Sequence, residues 1–293
     1  MPAHPAGENA NAQSNTYFLD PESPEEMARL INLDRITTRA MGGPLSGLTA
    51  EEVAGLRNVL DVGCGPGGWV LDVAFAYPDI EVAGVDISRT MVDYANARAR
   101  SQGLTNASFG IMDITQPLDF ADGAFDLVNG RLLVGVLRGG IWPAFIGECR
   151  RLLRPGGIVR LTEAIDGGAS TSPAYERWQA EMAKAVERAG YGFEAPARGG
   201  DVALFLPRLL RSFGYQQVQI RAHALEFSAG TDAWADLYHN AEVASFLALP
   251  FLVKTGVMTQ AEAEQLHQQM LAEMRSPDFC GMWRFVTVWG KRP

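Results

Sequence analysis

The chain has 293 residues, of which 47% are hydrophobic and 20% charged, a globular balance long enough for one α/β core with helical additions. The formal charge, 25 − 34 = −9, argues against a polyanionic partner, so no nucleic acid is expected, and the densest basic cluster (Arg150, Arg151, Arg154) reads as the end of a surface helix. No apolar run approaches the ~18–20 residues of a membrane span, the N-terminus lacks a secretory layout, and Cys64, Cys149 and Cys280 are scattered, so a cytoplasmic protein with no membrane contact, no disulfide framework and no metal is expected.

In chain order, residues 1–15 are small and polar and read as a disordered arm. Ser23-Pro24-Glu25-Glu26 reads as a helix start: Ser23 caps, Pro24 fits the first turn, and Glu26 reaches back to the N–H of the cap. Met27, Leu30 and Ile31 give this helix an apolar face, and Met41-Gly42-Gly43-Pro44 ends it or a following turn. Val59–Val62, Ile80–Val85, Ala107–Met112, Phe125–Val128 and Ile158–Thr162 read as buried strands, with helices expected over 67–76, after Ser88, and over 142–153. The last of these helices stops at Arg154-Pro155-Gly156-Gly157. This alternation predicts an α/β fold with a mainly parallel sheet covered on both faces. Beyond it, helices are expected over 172–190 and 201–213, a strand over 217–227, helical patterns over 231–275 and a terminal strand over 282–289.

The densest chemical signal is Asp61-Val62-Gly63-Cys64-Gly65-Pro66-Gly67-Gly68. Glycines between a strand and a helix permit a sharp turn, a close ligand approach, and a helix N-terminus with free N–H groups. Taken alone they also match the dinucleotide fingerprint, and a nicotinamide-dependent oxidoreductase stays open on that count. The carboxylates narrow the choice. Asp61, just before the loop, repels a diphosphate and suits a cationic amine. Asp86 ends the second strand, where it can accept from two ribose hydroxyls. Asp113 follows the third strand and can accept from an adenine amino group. Amine, ribose and adenine without phosphate describe S-adenosylmethionine. Each carboxylate also has a plainer reading, Asp61 at a helix end, Asp86 beside the Ser88 cap and Asp113 in a turn.

Val59-Leu60-Asp61-Val62-Gly63-Cys64-Gly65-Pro66-Gly67, Val85-Asp86-Ile87-Ser88 with Met91, Asp113 with Pro117, Phe125-Asp126-Leu127-Val128, and Leu152-Leu153-Arg154-Pro155-Gly156-Gly157 together resemble the motifs of class I S-adenosylmethionine-dependent methyltransferases, near the UbiE and small-molecule group. The resemblance covers residues 56–164. It implies a Rossmann-like, mostly parallel sheet of seven strands with an antiparallel last strand, and S-adenosyl-L-methionine as cofactor. It assigns the methionine part to Asp61, Gly63, Cys64, Gly65 and Gly67, and the ribose to Asp86 beside Ile87 and Met91. Met112, Asp113 and Ile114 fall to the adenine, and Asn129, Gly130 and Arg131 to the methyl-transfer centre. Asp126 reads as structural, and Tyr17 as a reach toward the cofactor carboxylate.

The two expected terminal strands lie roughly fifty residues apart where the family's connection is short. The departure implies a helical lid over 231–278, joined by an N-terminal helical cap over 16–55. The core then spans 56–230, with a further helical insertion at 166–200, and 279–293 supplies the final core strand. Trp178, Trp234, Tyr238, Phe246 and Phe251 fall in the inserted segments and are candidates for an apolar acceptor pocket, or for holding the cap to the core. Candidate bases are His223, His239 and Glu163, the last able instead to cap the next turn; His267 reads as solvated. The expected activity is methyl transfer to a small molecule, foremost an oxygen acceptor, by a monomer or homodimer. Carbon or nitrogen acceptors, a peptide acceptor and a non-catalytic cofactor-binding module remain as rivals.

Overall fold

The computed structural model of the chain describes residues 17–191 and 202–293; the arm expected at 1–15 and part of the insertion at 166–200 lie outside the described residues. Five strands, β1 (Asn58–Val62), β2 (Glu81–Asp86), β3 (Ala107–Ile111), β4 (Phe125–Arg131) and β5 (Leu153–Ala164), run parallel in the spatial order β3-β2-β1-β4-β5. A two-residue β6 (Ala169–Ser170), β7 (Gln216–Glu226) and β8 (Gly281–Lys291) complete the sheet. β8 lies antiparallel between β5 and β7, and its start also pairs with β6. The expected mostly parallel sheet with an antiparallel last strand is therefore present, with eight strands among the described residues rather than seven. β6 escaped prediction because two residues carry no periodicity.

The inner parallel strands β1, β4 and β5 are buried along most of their length, since helices cover both faces, whereas β3 at the edge is not. On one face α5 (Trp142–Leu152) and α7 (Val202–Ser212) bury Leu60, Val62, Val128, Val159 and Leu161. On the other, α3 (Gly68–Ala76) buries Val59, Val82, Leu127 and Ile158 under Trp69, Val70 and Val73. Helix α4 (Arg89–Ser101) packs on β2 and β3, and the single-turn α2 (Ala50–Ala54) precedes β1.

The cap has a core of its own. Helices α1 (Pro24–Met41), α6 (Pro173–Arg188), α8 (Trp234–Lys254) and α9 (Gln260–Met274) pool Leu33, Ile36, Trp178, Leu249, Leu252, Met270 and Met274 with Phe227 and Phe285 of the sheet end. Ser23 caps α1 as expected, accepting from the Glu26 N–H at 3.2 Å. Glu26 does not reach back to that cap. Its carboxylate is fully buried and bonds Arg29 instead, an ion pair being the stronger partner in a dry site. His267, expected in solvent, is buried in the cap, where its Nδ1 lies 2.7 Å from Ser245 Oγ.

Register places one polar row across the sheet's centre. Asp61 on β1 lies opposite Asn129 on β4, Asn129 opposite Arg160 on β5, and Arg160 opposite Trp289 on β8. At the other end of β4, buried Asp126 accepts from the Arg57 and Asn58 N–H groups at 2.7 and 2.8 Å and pairs with Arg154. These bonds hold its carboxyl below the usual range, against the opposing effect of burial. Asp126→Ala strands two backbone donors, so denaturant unfolding should show a loss of ~2–4 kcal/mol at neutral pH. That loss should shrink as acid protonates the native carboxyl, because a depressed pKa contributes stability only above its titration.

Candidate active site

The glycine loop joins β1 to α3 at the carboxyl edge of the sheet, the edge where open α/β sheets bind ligands. Gly63 has φ +67°, and a Cβ there would stand 2.8 Å from Leu133 Cδ2. Gly67 has φ +78°, and its Cβ would meet the Phe109 ring at 2.5 Å. Only glycine fits either place. The loop is tied across the strand tops: Cys64 N–H donates to the Val85 carbonyl and Gly65 N–H to Asp86 Oδ2, both at 2.9 Å. The other Asp86 oxygen accepts from Ser88 N–H at 2.9 Å, while Ser88 caps α4. Burial pushes the Asp86 carboxyl up, and the backbone bonds from Ser88, Gly65 and Ile87 oppose it.

Above this edge lies a cavity of ≈ 170 Å³. Of the expected cofactor residues, Tyr17, Asp61, Gly63, Cys64, Gly65, Asp86, Ile87, Met91, Met112, Asp113, Ile114 and Arg131 line it. Gly67, Asn129 and Gly130 do not. Gly67 turns its α-carbon toward Phe109, Gly130 packs under Leu133, and Asn129 stands behind Asp61. Asp113 accepts from Thr115 N–H and Oγ1 at 2.9 and 2.7 Å, so it shapes its turn as well as lining the cavity. Helix α1 adds Arg29, Leu33, Asp34 and Thr37 to the cavity lining, none of them expected there from sequence. The apolar positions of that helix announce a buried face but not which ligand-facing polar groups interrupt it.

Asp61 is 3% exposed and accepts from Asn129 Nδ2 at 2.7 Å. Asn129 Oδ1 accepts in turn from Arg160 at 2.7 Å, and Arg160 also donates to the Ser46 carbonyl at 3.1 Å. Burial raises the Asp61 carboxyl to about 7, although Arg131, Asn129 and Arg160 favour its charge. Burial lowers Arg160 to about 9. Arg131 pairs with Asp34 of α1 and donates to Thr38 Oγ1 at 3.0 Å, which pins α1 over the loop.

A second cavity of ≈ 300 Å³ adjoins the first, sharing Arg29, Leu33 and Leu132 with it. Its walls include Phe18, Tyr175, Trp178, Phe227 and Trp283, and its polar groups include Gln179, Asn240 and Ser245. Leu132, at the junction, holds φ 56°, a left-handed conformation rare for a branched side chain. Of the five expected acceptor residues, Trp178 alone lines this cavity. Trp234 stacks on Tyr238 at 5.3 Å and donates to the Met274 carbonyl. Phe251 packs on Phe18 at 5.0 Å, and Phe246 is 62% exposed. These four hold the cap together or face outward.

The candidate bases line neither cavity. His223 stacks on Phe285 and reaches Thr287 Oγ1 at 3.2 Å; His239 is an exposed partner of Glu242 at 3.5 Å. Glu163 is fully buried and accepts from Leu133 and Val134 N–H at 2.7 and 3.3 Å, fixing the turn that carries Leu132. Burial lifts its carboxyl to about 8. Among the described residues no three His, Cys, Asp or Glu side chains gather as a metal-ligand set.

A family described as "Methyltransferase domain" matches residues 59–157, the stretch from β1 through the turn into β5. Ajmaline N-methyltransferase of Rauvolfia serpentina is 48% identical over 73 residues, 25% of this chain and 24% of that protein. Methyltransferase grgD of a Penicillium species is 29% identical over 204 residues, 67% of this chain and 70% of its own. The chain thus spans about a quarter of the first relative's length and 70% of the second's. The geranyl diphosphate C-methyltransferase of Streptomyces coelicolor shares the fold at TM-score 0.50 and 16% identity, covering 94% of this chain and 87% of that one. Loop, carboxylates, sheet order and sequence match agree, and residues 59–157 carry a methyltransferase domain.

Proposed function

We propose that this chain transfers the methyl group of S-adenosylmethionine to a small molecule held under the helical cap, with oxygen as the acceptor atom. The observation that carries the reading is the juxtaposition of the two cavities. One presents Asp61, Asp86 and Asp113 around a glycine loop, and the other presents an apolar, aromatic wall across Arg29, Leu33 and Leu132.

The cofactor fits the donor set of the first cavity. Its acids suit an ammonium, ribose hydroxyls and an adenine amino group, and they oppose a diphosphate, which disfavours a nicotinamide cofactor. Asp61 would hold the ammonium and Asp86 the ribose, using lone pairs left over from Gly65 and Ser88. Met112 and Ile114 would flank the adenine. Bound there, the cofactor supplies a methyl carbon already activated by its sulfonium. The chain's own task is alignment: Leu33 and Leu132 wall the point where the cavities meet, and α1 closes over it. Such positioning supplies up to ~7–11 kcal/mol of acceleration, so a transferase of this kind can work without a dedicated base. Three unpaired cysteines are in keeping with a reducing, cytoplasmic setting, and no helix among the described residues is long and apolar enough to cross a membrane.

Asp86→Ala should weaken S-adenosylhomocysteine binding by at least ~1–3 kcal/mol in calorimetry, while the wild type should ignore NAD. Unchanged affinity in the variant sinks the ribose assignment, and NAD binding sinks the family of cofactors.

Asp61 gives a pH signature. Its folded value of about 7 stands above the 3.8 of an exposed carboxyl. The folded chain therefore keeps a proton that the unfolded chain has released, and Asp61 destabilises the empty protein increasingly up to pH 7 and fully above it. Asp61→Asn should raise the melting temperature of the empty protein at pH 8 yet reduce its cofactor affinity. In the wild type, affinity should fall as pH drops through 7. A variant that binds as tightly as wild type at pH 8 rules out the ammonium contact.

A further inference from the structure

Among the described residues the second cavity is lined by one charged side chain, Arg29, and by no aspartate, glutamate, histidine or lysine. Its remaining polar groups are largely engaged. Tyr175 donates to the Gly167 carbonyl at 2.6 Å, and Ser245 donates to the Ala241 carbonyl at 2.6 Å. Asn240 Oδ1 accepts from Arg29 at 2.9 Å. The acids of the neighbouring cavity are engaged as well: Asp34 with Arg131, Asp61 with Asn129, Asp86 with Gly65 and Ser88, Asp113 with Thr115. Among the described residues, an acceptor placed here meets no side chain ready to take its proton.

It does meet a guanidinium. Arg29 lines both cavities and so stands where the methyl group must cross. Glu26 lines neither; it lies fully buried behind Arg29, accepting from its Nε at 2.7 Å and from one terminal nitrogen at 2.6 Å. Tyr17 donates to the same carboxylate at 2.5 Å. The pair is neutral as a unit but polarised, with its positive end toward the cavities. An arginine has five N–H donors in a rigid fork. Two point at Glu26, one at the Tyr17 hydroxyl at 3.4 Å and one at Asn240, which leaves one N–H of the second terminal nitrogen for a ligand.

We propose that Arg29 is a specificity-determining residue for acidic hydroxyl acceptors. On this proposal, which rests on the methyl-transfer reading above, the acceptor is a largely apolar, ring-bearing phenol or enol. Its body packs among Trp178, Phe227 and Trp283, and its oxygen lies at Arg29 as the oxyanion. The oxyanion's electron pair forms the new O–C bond while the C–S bond breaks and its pair stays on sulfur. The negative acceptor and the positive sulfonium cancel, so no proton leaves in the step. A cationic amine is disfavoured at the same place by the guanidinium. A phosphorylated acceptor would bring two charges into a wall that offers one cation.

The probe is 7-hydroxycoumarin, a two-ring phenol that ionises near neutral pH and whose excitation bands separate phenol from phenolate. It is titrated with pH on the full chain in the presence of S-adenosylhomocysteine. Binding of S-adenosylhomocysteine is measured by calorimetry on the same samples. The expected result is a phenolate midpoint about one pH unit lower for bound than for free probe, a roughly tenfold preference for the anion. The methyl ether, 7-methoxycoumarin, should bind more weakly. Arg29→Met alone strands the Glu26 carboxylate and endangers folding, so the working variant is Glu26→Gln with Arg29→Met, and the shift should vanish there. Arg29→Lys should keep part of it. An unshifted midpoint, a shift that survives the double variant, or no probe binding while S-adenosylhomocysteine binds would each overturn the oxyanion proposal and leave the cofactor reading standing. Failure of S-adenosylhomocysteine to bind the wild type would overturn the cofactor reading itself.

Discussion

A carboxylate at the end of a central strand, sealed from water by a helix, stays ionised only if its surroundings supply the stabilisation that water no longer does. Asp61 is in that position, and the elements around it are arranged accordingly. Sheet register sets Asn129 and then Arg160 beside it, so a fully buried guanidinium lends charge through an amide while remaining one strand away. Arg131, one turn of the pleat onward on the same face, adds charge from the other side. Arg131 in turn needs Asp34, and Asp34 belongs to α1. The cap is thus docked on the sheet by the same electrostatic chain that favours the charged form of Asp61. The balance is incomplete, since Asp61 still sits near 7.

The two cavities are built on different principles. The first gathers acids because strand ends and a glycine loop bring Asp61, Asp86 and Asp113 to one edge, which rigid strands hold in place. The second gathers aromatic rings because α6 sets Tyr175 and Trp178 against Phe227 and Trp283 of the sheet end. Leu132 joins them. Its left-handed backbone is secured by its N–H on the Thr162 carbonyl at 2.8 Å and by Glu163 on the two following N–H groups. Glu163 therefore works by shaping the wall and not by touching the contents.

The α/β core was legible in sequence because its strands are short apolar runs closed by glycines, and because Asp61, Asp86 and Asp113 stand at fixed offsets from those closures. The offsets survive folding, since strand ends come to one edge whatever the loops do. The polar row was not legible: pairing Asn129 and Arg160 with Asp61 depends on register between strands far apart in sequence. Arg29 and Asp34 were hidden for a related reason. They lie in a helix whose docking partner the sequence does not name, and only docking makes them face a cavity. The aromatic residues were over-read. Trp234, Tyr238 and Phe251 satisfy the cap's own packing and stacking, which is the commoner use of large rings in helices that must cohere without a sheet beneath them. The histidines misled similarly, His223 being spent on Phe285 and Thr287 and His267 on Ser245.

The cap's hydrophobic core is separate from the two that sandwich the sheet, and its helices come from segments before β1 and after β5. Such an arrangement behaves as a cassette. Helices α6, α8 and α9 can drift, lengthen or be exchanged in a lineage without disturbing strand register or the glycine loop. Only α1, tethered through Asp34, is barred from that freedom. One end of the molecule can thus be remodelled while the glycine-loop end stays constant.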